Sequence, residues 1–149
     1  KFSPVLQYKP LDSLLGKENL TPLEVRNLVI STRTAKLPDW KQYPNAGSFF
    51  KNPVVTNLES KTLRSKYPEI PLIPHLEGFK IPAAWLIEHV AIMKGIKVKD
   101  LGTWPNQPLV VVNYGKASAD DIDGLAAEIR SKILEKTGII LEQEVNRVG

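Results

Sequence analysis

The chain has 149 residues, no cysteine, and 20 basic against 16 acidic side chains, for a formal charge of +4. Disulfide staples, thiol nucleophiles and thiolate metal sites are thereby excluded; no apolar run approaches the roughly 20 residues of a membrane helix, and no signal-peptide pattern is present. At 42% hydrophobic and 24% charged residues, the chain has an ordinary globular composition, and a domain of this length buries roughly 68–70% of its unfolded surface. Its basic residues are spread along the chain. The pI of 9.3 fits either a solvated cationic surface or an anionic ligand: a nucleotide, a phosphate or a nucleic acid. The chain opens on Lys1 rather than Met and runs straight into a strand-like segment, as expected of a fragment of a longer protein.

In chain order, the rough alternation of Phe2–Tyr8 predicts a strand, with Pro4 suggesting a sheet edge. Thr21-Pro22-Leu23-Glu24 is a helix start: Thr21 caps, Pro22 takes the first helical position and Glu24 completes a capping box. Leu23, Val25, Leu28 and Val29 carry that helix to about Ala35. Leu37–Gly47 is a loop by composition. Phe49–Val55, broken by Asn52-Pro53, predicts a turn and a short strand, and Leu58–Lys66 a second helix. Tyr67–Gly78 holds three prolines and is expected to be irregular. Pro82–Met93 predicts a buried helix ended by Gly95, with Trp85, Leu86, His89, Val90 and Met93 on its apolar face. Leu109–Asn113 is a strand. Ser118 opens the longest helix, with Ile122, Leu125, Ala126, Ile129, Ile133 and Leu134 on one face, closed by Gly138; Ile139–Val148 is a final strand.

These elements define one α+β domain, a mixed and largely antiparallel sheet packed with helices. Residues 1–20 are expected to be the end of a preceding domain and its linker, and residues 21–149 the domain proper.

The most informative stretch is Asn45-Ala46-Gly47-Ser48-Phe49-Phe50-Lys51-Asn52-Pro53. Gly47 permits a tight turn or close approach of a ligand. Two aromatics after Ser48 can anchor the loop, and Asn52 before proline is restricted to extended backbone. On spacing alone this is either a turn whose serine caps a backbone amide or a rigid polar lip of a binding site. His89 on an apolar face is expected to be structural, and Trp40, Trp85 and Trp104 to be packing residues. No metal site is expected. The nine glycines never form GxGxxG or GxxxxGK[ST], so no diphosphate cradle is evident and no cofactor-binding residue is assigned.

NAGSFFKNP, together with Arg33-Thr34-Ala35-Lys36-Leu37-Pro38-Asp39, Leu141-Glu142-Gln143-Glu144-Val145 and the Pro82–Gly95 segment, resembles the UDP-N-acetylenolpyruvoylglucosamine reductases. The resemblance runs from about Tyr8 to Gly149. Gln143 stands where the family has proline, and Asn146-Arg147 and Leu101–Pro105 also depart from its pattern. The resemblance implies the family's C-terminal, substrate-binding domain, with FAD held mainly by two N-terminal domains outside this chain and NADPH as reductant. It makes Ser48 the proton donor and Glu144 its catalytic companion. Tyr8, Lys36, Asn52, Lys94 and Gln107 become substrate-binding residues. The partners it implies are the UDP-sugar substrate and the FAD-binding domains, with no nucleic acid and no membrane, in a bacterial cytoplasm serving peptidoglycan synthesis.

The family's reaction reduces an enolpyruvyl ether to a lactyl ether. Hydride reaches the methylene carbon, an enolate-like charge develops, and a proton is delivered to the adjacent carbon. A serine is a poor acid, so it serves only against a strongly basic partner with neighbours that stabilise the charge. A carboxylate beside the substrate carboxylate raises the energy of both, so one should hold a proton; a protonated Glu144 would donate to the enolate. Lys36 and Lys94 would neutralise phosphate or carboxylate oxygens. The fragment alone is expected to bind flavin poorly and turn nothing over. The competing expectation is a stand-alone binding module for an anionic ligand such as nucleic acid or a sugar nucleotide. It lacks a basic helix or the aromatic–basic interleaving of RNA binders.

Overall fold

The fold is taken from a computed structural model that describes residues 2–7 and 9–148. A short 3-10 helix, Leu11–Leu14, precedes helix α1 (Pro22–Lys36). Then come strand β1 (Asn45–Ser48), β2 (Val54–Val55), helix α2 (Asn57–Lys66), and the hairpin β3 (Ile73–His75) and β4 (Gly78–Lys80). Helix α3 (Ala83–Trp85) runs into a π-helical turn, Leu86–Val90, followed by β5 (Lys97–Val98), β6 (Leu101–Trp104), β7 (Gln107–Asn113) and helix α4 (Ala119–Thr137).

The three long helices begin alike. Thr21, Thr56 and Ser118 each accept the N–H of the residue three places on, and the Glu24, Glu59 and Asp121 carboxylates reach back to the N-cap N–H. Two orphan donors are thus satisfied at each start. The bonds of Lys17 and Thr21 lower Glu24 from its ordinary 4.5 to about 2, and those of Thr56 and Ser118 lower Glu59 and Asp121. The folded carboxylates titrate below their unfolded values, so their stabilisation is complete above about 4.5 and is lost as pH falls towards 2. Far-ultraviolet circular dichroism between pH 5 and 2 is expected to show helix loss, and Glu24→Gln should flatten the acid limb; a Gln variant with an unchanged acid limb would refute the assignment.

All strand pairs are antiparallel. Four strands form one sheet in the order β1-β7-β6-β5, and three form a second in the order β2-β4-β3. Pro74 sits in β3, at the sheet edge, where its missing N–H costs no ladder bond. Leu109 and Val111 of β7 meet Leu86, Ile87 and Val90 and the Leu125, Ala126, Ile129 and Ile133 stripe of α4 in one core, closed by Phe49, Phe50, Ile81 and Leu141.

Several expectations need correction. Residues 2–7 form no strand, since nothing pairs with them and Val5 is 76% exposed. Ile139–Val148 is extended but is not a strand; it makes a single bridge, Phe50 to Gln143. Strands β1, β3, β4, β5 and β6 lie in stretches that predicted loop or nothing. The helix from Pro82 stops at Val90 rather than at Gly95: Ala91 N–H bonds Leu86 O and Met93 N–H bonds Ile87 O, each 2.9 Å, and Ile92 turns left-handed at φ 55°. The wider turn buries Ile87 and turns His89 outward, half exposed and stacked on Trp85 at 4.8 Å. His89 is therefore not a core residue, and Trp40, at 68% exposure, is not a packing residue. Leu134 leaves the α4 stripe for solvent.

Candidate active site

Strand β1 is bulged. Asn45 faces Val112 and Ser48 faces Val110, so an extra residue sits on the β1 side. The sequence makes the bulge: Asn45 Oδ1 accepts the Gly47 N–H (3.0 Å), Asn45 Nδ2 donates to Tyr43 O (2.8 Å), and Gly47 takes φ 77°. A left-handed φ costs an L-residue roughly 1–2 kcal/mol, which explains the glycine. Nothing lies within 4 Å of a Cβ built there, so Gly47 serves the turn and not a close approach by another part of the chain. Bulges re-aim side chains next to active sites. Here the bulge leaves Ser48 exposed while Phe49 and Phe50 insert into the core, their rings edge to face at 5.2 Å.

Three chain segments meet at Ser48. The Phe49 N–H donates to Leu109 O of β7, and Phe49 O accepts the Glu144 N–H, both at 2.9 Å. Two residues on, the Lys51 N–H donates to Glu142 O (2.9 Å) and the Lys51 ammonium pairs with the Glu142 carboxylate. The C-terminal segment is thus laid along the serine loop in a fixed register. Glu142 is engaged by Lys51, whereas exposed Glu144 sits beside the residue that follows Ser48. Ser48 and Glu144 are both exposed, and the backbone of Glu144 runs alongside Phe49.

The other predicted residues lie on separate elements and loops. Asn52 is exposed, but its Oδ1 accepts the N–H of fully buried Ala83 (2.8 Å), so it caps α3 and leaves only Nδ2 for a ligand. Asn52→Ala is expected to cost about 1–3 kcal/mol by orphaning that amide, whereas Asn52→Asp keeps the acceptor. Chemical denaturation separates these outcomes, and equal losses in both variants would show that the cap is not what matters. Lys94 is paired with Glu88 at 2.6 Å. Lys36 ends α1, exposed. Half-buried Gln107 opens β7. Tyr8 lies outside the described residues.

Sequence reasoning missed the residues that hold these groups in place. Asn45 could have been found, since Asn two residues before Gly is a side-chain-closed turn signal. Lys51 could not, because its partner is 91 residues away. Nor could Asn106, whose Nδ2 donates to Ala35 O (3.1 Å) at the end of α1. Tyr43 packs on Trp104 at 5.2 Å and on Tyr114 at 5.8 Å, with the Lys97 ammonium 4.6 Å above the Tyr114 ring. Burial and the neighbouring Tyr43 push the Tyr114 hydroxyl upward.

An α+β domain of two small antiparallel sheets, with a bulged serine loop strapped by its C-terminal segment, is the class defined so far. The sequence model of the "UDP-N-acetylenolpyruvoylglucosamine reductase, C-terminal domain" family matches residues 39–148, and the chain belongs to that family. It is similar to the UDP-N-acetylenolpyruvoylglucosamine reductase of Porphyromonas gingivalis, 42% identical over 146 residues, covering 96% of this chain and 43% of the relative. It is also similar to those of Idiomarina loihiensis (39% over 149 residues; 99% and 44%) and Escherichia coli (40% over 150 residues; 100% and 43%). The chain therefore spans less than half the length of the curated relatives it matches.

Proposed function

We propose that this chain is the substrate-binding part of a flavin-dependent reductase that converts enolpyruvyl-UDP-N-acetylglucosamine to UDP-N-acetylmuramate, an oxidoreductase step of peptidoglycan precursor synthesis. The observation that supports it most is the strap: Phe49, next to Ser48, bonds β7 through its N–H and Glu144 through its carbonyl, so the backbones of the two residues named by the family resemblance are tied to neighbouring segments.

Among the described residues there is no glycine-rich turn at a helix start that would cradle a dinucleotide diphosphate, so FAD and NADPH are assigned to the remainder of a longer protein. When bound there, the flavin would supply hydride to the substrate's methylene carbon. Ser48 Oγ–H then delivers the proton to the adjacent carbon, and the bulge fixes the face from which it comes. Glu144 completes the acid–base pair against the enolate-like charge. Asn52 Nδ2, Gln107, Lys36 and Lys94 bind and orient the sugar nucleotide, with Lys94 exchanging its Glu88 partner for a phosphate or carboxylate oxygen. On this reading residues 1–20 are the end of a preceding FAD-binding domain and its linker, and residues 21–149 are the substrate-binding domain.

The test is turnover in the intact FAD-loaded protein. NADPH oxidation should depend on enolpyruvyl-UDP-N-acetylglucosamine and fail with UDP-N-acetylglucosamine, which lacks the reducible bond. NADPH-reduced flavin that the enolpyruvyl substrate does not reoxidise would reject the assignment.

A further inference from the structure

Helix α1 is poorly anchored to the domain that follows it. It buries none of its residues fully: Val25, Leu28 and Val29 are only half-buried, and Leu23 and Ile30 on the opposite side are 60% and 45% exposed. Among the described residues, one hydrogen bond joins it to the sheet: Asn106 Nδ2 to Ala35 O, at 3.1 Å. Ala35 immediately precedes Lys36, and Asn106 immediately precedes Gln107.

The donor side of that bond is rigid. Trp104 and Gln107 are paired across the β6–β7 connection, so Pro105 and Asn106 form a two-residue turn, and Pro105 fixes φ at its first corner. Trp104 is held against Tyr43, and the Tyr43 carbonyl accepts from Asn45, which builds the serine bulge. The acceptor side is the last turn of a helix, where carbonyls lack helical partners.

We infer that Asn106 is a positioning residue: it fastens the end of α1 to the β6–β7 turn so that Lys36 and Gln107 engage the substrate's anionic part together. The inference rests on the proposed function for Lys36 as a substrate contact, and nothing in the family resemblance assigns a role to Asn106. A lysine on an untethered helix end samples many positions, and ordering it on binding costs affinity; a preformed tether removes part of that cost. The tether acts on binding and leaves the proton transfer at Ser48 alone.

The experiment compares Asn106→Ala, Asn106→Asp, Lys36→Ala and Asn106→Ala/Lys36→Ala in the intact FAD-loaded protein, by steady-state kinetics with enolpyruvyl-UDP-N-acetylglucosamine. Asn106→Asp keeps the shape of the side chain but loses the donor, so a folding defect in the alanine variant cannot imitate the result. Both Asn106 variants should raise the substrate KM by about two- to tenfold, the size one net hydrogen bond supports, with kcat and the KM for NADPH retained. In the Lys36→Ala background the Asn106→Ala effect should vanish, because the residue it positions is gone. A raised KM for Lys36→Ala with normal KM in both Asn106 variants overturns the tether alone, as does an Asn106→Ala effect that persists undiminished without Lys36. An unchanged KM in Lys36→Ala overturns the underlying reading of Lys36, and the tether with it.

Discussion

Replacing Ser48 by alanine in the intact protein is expected to leave reduction of the bound flavin by NADPH unchanged and to slow its reoxidation by enolpyruvyl-UDP-N-acetylglucosamine by about 10²–10⁴-fold, the usual worth of a positioned general acid. The two half-reactions separate chemistry from folding. A variant whose bulge had collapsed would also lose substrate affinity, whereas Ser48 is exposed and its backbone is held by Gly47, Phe49 and Phe50. Stopped-flow absorbance of the flavin reads both steps. Reoxidation at the wild-type rate would mean that the loop is a structural turn, and the proton-donor assignment would fall.

The second large effect concerns stability and sets two glycines against each other. A Cβ at Gly102 would lie 2.0 Å from Ile96 O and 3.1 Å from Lys97 Cα. The obstacle is backbone, and Ile96 O already accepts the Thr103 N–H (3.1 Å), so it cannot withdraw without losing that bond. Gly102→Ala should therefore reach or exceed the upper end of overpacking costs, about 3 kcal/mol. Gly124, inside α4, has nothing within 4 Å of its Cβ position. Gly124→Ala should stabilise by about 0.5–1 kcal/mol, as alanine does in a helix interior. Urea denaturation of the two variants should give shifts of opposite sign; shifts of the same sign would refute the packing described around Gly102.

How legible the sequence was depended on how local each signal is. Helices α1 and α4 are readable because their starts are written in four consecutive residues and their apolar stripes repeat within the element, whereas α2 is expected at Leu58–Lys66 without its Thr56–Glu59 start. The short strands were hidden because they are defined by partners. Lys97–Val98 holds only two residues, and Asn45–Ser48 is a strand only because β7 lies alongside; Val54–Val55, inside the turn and short strand expected over Phe49–Val55, is the exception. Ile139–Val148 misled in the opposite direction: it has strand composition, but the chain beside it offers a single bridge. The π-helical turn at Leu86–Val90 left no trace in a 3.6-residue pattern, and the orientation of His89 was misjudged with it.

For the site, the serine loop stood out because its turn chemistry is compact, and the family resemblance supplied the roles that spacing left open. Asn52 shows what a sequence motif leaves unsaid. Half of that side chain is occupied in capping α3, a structural task that the motif alone does not show. The ion pair of Glu142 with Lys51 is a contact that no local pattern announces.

The strap across β1 also bears on how such a site comes into existence. The Lys51–Glu142 contact closes a loop of 91 residues, and the two backbone bonds beside it lie next to buried Phe50 and Leu141. Long-range closures of this kind come late and cooperatively. The serine loop and the Glu144 segment are therefore joined by contacts of high sequence separation, which are expected to form with the core rather than ahead of it.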